Sequence, residues 1–485
     1  MPKTLKHLIV LILAFSFKLK AQTPNQIRIE FKNAIDSKIF LASYEFNQIL
    51  VIDSAFKDER SEYRFNLSYA LTPGMYMITN ASKSEMYFDF FVDGNFPLLL
   101  SVDKNNLLQT LNSSSHKINR DYFALTQKWL HWNNVLAKIQ SENNTKESTN
   151  KIAEIRKESL MYCDSMFKKN YTNLLGLMLK LKINPDREYA KNRIDSIKQR
   201  QNYKVRYWQY IDFAKPELIT NPYFHERLEQ YFKLWVPEHP DSISSEIYKI
   251  MSLMKMQKKS KEYVIHRFLT LFEDTNHLIF DVNNKPKNLQ EVYVELSKTY
   301  VFSGFMNGVF DTVSKINIKK RVEQIEALLS GKPLPSLYVL DTMNTRIARS
   351  WGFKSGINSV KAQELFESRN AQLETMYYSF NTKNGPLQLL IFWSTDCPHC
   401  LNQLQSIQDQ LSTYIKGAQL KVMAVLLNDT EYNDWLRIIR EKNLNLFKHY
   451  TDPIHINQFK LTFDIHETPS FMLLNSCLLY TSPSP

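Results

Sequence analysis

Cys397 and Cys400 stand two residues apart, between an apolar run from Leu387 to Trp393 and a stretch in which Leu401, Leu404, Ile407, Leu411 and Ile415 recur at helical spacing before Gly417. The first run has the length and aromatic-rich composition of a buried strand, and the second reads as a helix. A strand feeding a Cys-x-x-Cys pair that opens a helix is a setting for thiol-disulfide exchange. At a helix N-terminus a sulfur meets unpaired backbone N–H groups and the positive end of the helix dipole. Both favour thiolate over thiol and make Cys397 the nucleophile at neutral pH. Cys400, one turn on, is placed to resolve the mixed disulfide. His399 between them stabilises the Cys397 thiolate if it is protonated or donates a hydrogen bond, and a stabilised thiolate makes the disulfide easier to reduce. Asp396, on the other side of Cys397, acts in the opposite direction.

Other uses of such a pair fit less well. A closed zinc site needs two more ligands, and His399, His455 and His466 have no ligand-like spacing. Covalent haem attachment needs His directly after the second Cys, where Leu401 stands. Cys397 also lacks the P-x-x-x-T-x-x-C context of a peroxidatic cysteine. Copper(I) transfer through the thiolates and a nearby His has little else in the sequence to support it. No cofactor and no metal are expected.

About seventy residues downstream, Glu467-Thr468-Pro469-Ser470-Phe471-Met472-Leu473-Leu474 places a proline directly before a short apolar strand. Together with a strand at 387–394, a helix at 400–414, a strand at 420–427 and a helix at 430–442, this makes residues 331–475 similar to a thioredoxin-like domain of the exported TlpA and ResA type. The resemblance implies an α/β fold in which a cis-proline loop packs against the cysteine pair. It assigns Pro469 to substrate docking and to keeping metals off the thiolates, and the Thr468 backbone to pairing with an extended peptide. Trp393 is counted with them among the substrate-contacting residues. It also implies a redox-active disulfide working on protein thiols and disulfides, with a membrane redox partner to recharge it. Direction stays open, because Pro-His is the dipeptide of strongly oxidising DsbA-type proteins whereas TlpA-like proteins are commonly reductants. The chain departs from thioredoxin at Ile391, where thioredoxin carries a buried acid six residues before its first cysteine. The entry Gly331-Lys332-Pro333-Leu334-Pro335 is how TlpA-like domains usually begin. The connection at 344–384 is longer than usual and contains a helix from Val360 to Tyr378.

With 485 residues the chain has room for two or three domains. Residues 1–21 read as a secretory signal: a basic start, then an apolar stretch from Leu8 to Phe17 that is too short to span a bilayer. A periplasmic or cell-envelope location is therefore expected. Residues 25–115 alternate in the strand manner at Ile27–Phe31, Lys38–Ala42, Tyr63–Leu67 and Met75–Thr79, predicting a small antiparallel β domain of sandwich type. They resemble the β domain of unknown function that precedes thioredoxin-like domains in many exported Bacteroidota proteins. From 116 to 330 apolar residues recur at three and four, and between Gly94 and Gly304 the only glycine is Gly176, which predicts a helical domain. Ser141 to Asn150 reads as a polar loop within it. The thioredoxin-like domain then occupies 331–475. Residues 476–485 carry two serine-alternating prolines and read as a foreign tail with no pairing strand, so the thioredoxin-like domain looks truncated and should leave apolar sheet surface open.

The four cysteines, Cys163, Cys397, Cys400 and Cys477, are too few for a disulfide scaffold, and Cys163 reads as a half-buried helix residue. The formal charge of +12 falls by four, to +8, when Lys3, Lys6, Lys18 and Lys20 leave with the signal. The remaining lysines are interspersed with acids rather than striped, so nucleic acid is not an expected partner. The rival function is a cell-envelope binding protein in which the β and helical segments act and the redox unit is secondary.

Overall fold

The computed structural model describes residues 25–46, 48–80, 85–141, 146–185, 193–255, 257–274, 278–280, 286–305, 308–329, 332–354, 356–378, 387–427, 432–474 and 479–481. The proposed signal lies outside them. No helix among the described residues is long and apolar enough to cross a membrane. The chain divides into two compact units, Met1–Tyr231 and Phe232–Pro485.

The first unit is built on two four-stranded sheets. One orders the strands Glu62–Leu67, Asn25–Lys32, Leu98–Asp103 and Asn112–Ser113, and the other Gln48–Phe56, Lys38–Glu45, Gly74–Thr79 and Met86–Val92. Alternate residues such as Ile27, Ile29, Phe31, Ile39, Leu41, Phe88 and Phe90 enter one shared core, as the period-two pleat requires. The domain is not purely antiparallel as expected: Asn25–Lys32 pairs in parallel with Leu98–Asp103, in the register Ile27 to Leu98. A long connection through the second sheet separates these strands, so no hairpin constrains their sense. The helices Lys117–Ser141, Lys146–Lys169 and Leu174–Lys182 send Ile118, Tyr122, Phe123, Met166, Leu175 and Met178 into that same core. The expected polar loop is shorter than predicted, because Lys146 to Asn150 already belong to a helix.

In the second unit helices run from Pro240–Leu253 to Thr312–Leu328, interrupted by a hairpin, Leu278–Phe280 against Pro286–Asn288, that the helical expectation missed. A six-stranded sheet follows. Its order is Leu340–Asp341, Lys448–Thr451, Leu420–Leu426, Leu387–Trp393, Ser470–Leu474 and Leu479–Thr481. The three strands at 387, 420 and 448 are parallel, and those at 340, 470 and 479 are antiparallel to their neighbours. The central strand Leu387–Trp393 is apolar on both faces because both are covered. Ile391 and Trp393 face a core with Leu404, Trp435 and Ile438 from the helices Pro398–Lys416 and Tyr432–Glu441. Leu390 and Phe392 face the opposite core with Leu328, Val339, Phe463 and Ile465.

The last strand corrects the expectation of an unpaired tail. Leu479–Thr481 pairs antiparallel with Ser470–Leu474, in the register Met472 to Thr481. The prolines that argued against pairing stand at 483 and 485, beyond the paired residues and outside the described ones. Beside this edge Leu387, Leu389, Phe471 and Leu473, with Ile407, Leu411 and Tyr414 of the neighbouring helix, line an open apolar groove of about 530 Å³.

Candidate functional site

Register brings the site together. Leu387–Trp393 pairs with Ser470–Leu474 so that Phe392 faces Ser470 and Ile391 faces Phe471. The residues just after Trp393 therefore lie beside those just before Ser470, namely Thr468 and Pro469. Ser394 to Asp396 then turn the chain, Cys397 N donating to Ser394 O at 3.4 Å, and the helix starts at Pro398. Proline suits that first helical position because its missing N–H would have had no intrahelical partner.

Cys397 is the N-cap of this helix, with extended backbone at φ −104° and ψ 97°. Its Sγ accepts a hydrogen bond from Cys400 N at 3.1 Å, taking the place usually filled by a Ser or Asp oxygen. Cys397 and Cys400 are joined by a disulfide, with Cα atoms 5.3 Å apart. The two sulfurs differ in access: Cys397 is half-buried, whereas Cys400 is 0% exposed in the core formed with Trp393, Leu404 and Trp435. An incoming thiolate can therefore reach only the Cys397 sulfur without prior opening of the helix end. The Thr468–Pro469 peptide is cis, and Thr468 O lies 3.5 Å from Cys397 Sγ. In the disulfide this is a contact only, since the sulfur has no proton to donate; in the dithiol the Cys397 S–H can donate to that carbonyl.

The other predicted residues fall into place unequally. His399 and Asp396 are exposed, and Asp396 is hydrogen-bonded by Ser394 Oγ. Thr468 is half-buried and Pro469 buried against the site. Trp393 is a correction: its side chain is 0% exposed and belongs to the core behind the disulfide, so it offers no surface to a partner. The strand's alternation decides this, because Trp393 shares its face with Ile391 and Leu389. Ile391 is buried too, so the strand brings no acid beneath the pair. Among the described residues no group of three or more His, Cys, Asp or Glu side chains could hold a metal ion.

Family models and curated proteins give no match to this chain. Solved structures similar to it include a thioredoxin-like protein from Bacteroides caccae, at 17% identity and a TM-score of 0.40, covering 59% of this chain and 89% of that one. A domain of a possible thiol-disulfide isomerase from Cytophaga hutchinsonii is 21% identical with a TM-score of 0.24, covering 32% and 84%. The thioredoxin domain of a thiol-disulfide oxidoreductase from Bacteroides vulgatus is 14% identical with a TM-score of 0.23, covering 32% and 88%. Likeness at these scores assigns no activity to the chain.

One arrangement near the site was not foreseen. Asp464, five residues before Pro469, accepts two hydrogen bonds from the guanidinium of Arg321, Nη1 to Oδ1 at 2.5 Å and Nη2 to Oδ2 at 3.0 Å. His466 Nε2 lies 2.8 Å from the same Oδ1. Arg321 and Asp464 are 143 positions apart, and no spacing or motif in the sequence could have paired them.

Proposed function

We propose that this chain is a thiol-disulfide oxidoreductase that exchanges disulfides with protein substrates through Cys397 and Cys400. The observation that carries the reading is the unequal disulfide: an accessible sulfur at a helix N-cap, bonded to a buried one a turn later, with the Thr468 carbonyl against the accessible atom. When the pair oxidises a substrate, a substrate thiolate attacks Cys397 Sγ, the disulfide breaks and Cys400 leaves as a thiolate that takes up a proton. A second substrate thiol then attacks the mixed disulfide and releases Cys397 as a thiolate. Two electrons have passed from substrate to pair. Reduction runs the same steps backwards, with the Cys397 thiolate attacking a substrate disulfide and Cys400 resolving the intermediate.

In either direction the Cys397 thiolate keeps the hydrogen bond from Cys400 N and the field of the Pro398–Lys416 helix, both of which stabilise it more than the neutral thiol. His399, exposed two residues after Cys397, is assigned to tuning the thiolate, and Thr468 with Pro469 to docking the substrate chain. Export to the periplasm or cell envelope and recharging by a membrane redox partner complete the proposal. The basic, apolar N-terminal segment supports export.

Trapping tests it. A Cys400→Ser variant, unable to resolve, should accumulate mixed disulfides with envelope proteins that run as reducible adducts. With Cys163 and Cys477 also replaced by serine in both variants, Cys397→Ser should accumulate none, because the one thiol it keeps, Cys400, is buried. Equal capture by the two variants would remove the assigned roles.

A further inference from the structure

Four side chains from two distant parts of the second unit converge just upstream of the docking turn. On the helix Thr312–Leu328, Arg321 grips Asp464 through both carboxylate oxygens and also donates to Glu273 O at 2.8 Å. One turn on, Gln324 donates to Lys460 O at 2.9 Å and approaches Asp464 Oδ1 at 3.4 Å. The side chains of Arg321 and Asp464 are only 11% and 8% exposed, so this pair is well shielded from solvent, unlike most surface ion pairs. Asp464 itself has a left-handed backbone, φ 53°, at the point where the chain leaves the short helix Phe459–Thr462 for the turn at Thr468. On the same carboxylate His466 is held with its ring 47% exposed, two residues before the carbonyl that touches Cys397.

We infer that Arg321 and Gln324 act as positioning residues, which fix the segment leading into Thr468 and Pro469 so that a docking polypeptide meets the Cys397 sulfur in register. This rests on the proposed exchange function. The two apolar side chains of the segment, Phe463 and Ile465, anchor it in the core but leave its path towards the site unspecified. The bidentate guanidinium supplies direction as well as attraction, since its planar fork accepts one orientation of the carboxylate. Loss of that fork should matter for large substrates, which need the turn as a docking edge, and not for a small thiol that needs only the sulfur.

The test compares Arg321→Gln and Gln324→Ala with the unaltered full chain in two assays: equilibration of the disulfide with glutathione, and turnover of insulin disulfides with dithiothreitol as the terminal reductant. Gln324→Ala removes the hydrogen bonds to Lys460 O and Asp464 Oδ1 but leaves the Arg321–Asp464 pair, and keeps the test alive should Arg321→Gln fold poorly. Arg321→Gln should raise KM for insulin about ten-fold or more with kcat little changed, Gln324→Ala should do so by a smaller factor, and both should keep the glutathione equilibrium. Arg321→Lys, which restores charge without the fork, should recover only part of the loss. Unchanged KM in both variants, or KM and the glutathione equilibrium moving together, would overturn the positioning role. If the unaltered chain neither equilibrates with glutathione nor turns over insulin, the exchange function itself falls, a result distinct from either.

Discussion

The unequal burial of the two sulfurs makes a quantitative prediction about the reduced protein. Cys397 is half-buried at the helix N-cap, whereas Cys400 has no exposed surface and is packed among Trp393, Leu404 and Trp435. A reagent can reach Cys397 in the folded state, but Cys400 only after the first turn of the helix opens. If that local opening costs about 3 kcal/mol, within the span between fraying and global unfolding, Cys400 is accessible about 1% of the time. Iodoacetamide should then alkylate Cys397 about 100-fold faster than Cys400. The hydrogen bond from Cys400 N to Cys397 Sγ, at 3.1 Å, widens the gap by raising the thiolate fraction of Cys397. The assay is a time course of alkylation of the dithiothreitol-reduced chain after removal of reductant, read by peptide mass spectrometry at each cysteine. Comparable rates, or faster modification of Cys400, would refute the assignment of nucleophile and resolving thiol.

Two further outcomes follow from residues outside the pair. Asp89, enclosed beside Tyr44 with a little solvent contact, has its carboxyl pushed by burial from the ordinary 3.8 up to about 6, against the hydrogen bond from Tyr44 Oη at 2.8 Å. A raised carboxyl favours folding where it is protonated, so its contribution is full below about pH 4 and is lost as pH rises to 6, by at most about 3 kcal/mol. Thermal unfolding of the full chain from pH 4 to 7 should show this fall, and Asp89→Asn should flatten it; an unaltered slope would contradict the cause. Trp393→Ala should cost about 3–5 kcal/mol by opening a cavity behind the disulfide. Trp393→Phe, introduced into the Cys400→Ser background, should leave mixed-disulfide capture intact; loss of capture in a folded protein would restore the substrate contact that burial rules out.

The chemistry of the second unit was legible because it is local. A strand, a turn and a helix in sequence carry Cys397 and Cys400, and the observed Leu387–Trp393, Pro398–Lys416, Leu420–Leu426 and Tyr432–Glu441 lie within about two residues of the expected limits. Pairing was not legible. Asn25–Lys32 chooses a parallel neighbour that no short-range signal specifies, and Gln48–Phe56 hid as a strand because most of its residues are half-exposed or exposed and do not alternate. Trp393 misled because an aromatic beside the cysteines reads as a contact residue, while the face on which it lies is set by strand register. The helix Thr342–Ser350 was missed for want of a strong apolar stripe; only Thr345 and Ala348 are buried on it. The Arg321–Asp464 pair spans 143 residues and exists only in three dimensions.

Equilibration of the full chain with glutathione at defined redox ratios, quenched by acid and read as free thiols at Cys397 and Cys400, decides whether the pair exchanges. One reversible two-electron transition is expected. A potential near −120 mV, about that of DsbA, would make the pair a disulfide donor, and one near −270 mV, about that of thioredoxin, a reductant. A pair that stays wholly oxidised or wholly reduced across the glutathione range from about −320 to −120 mV would not be an exchanging disulfide.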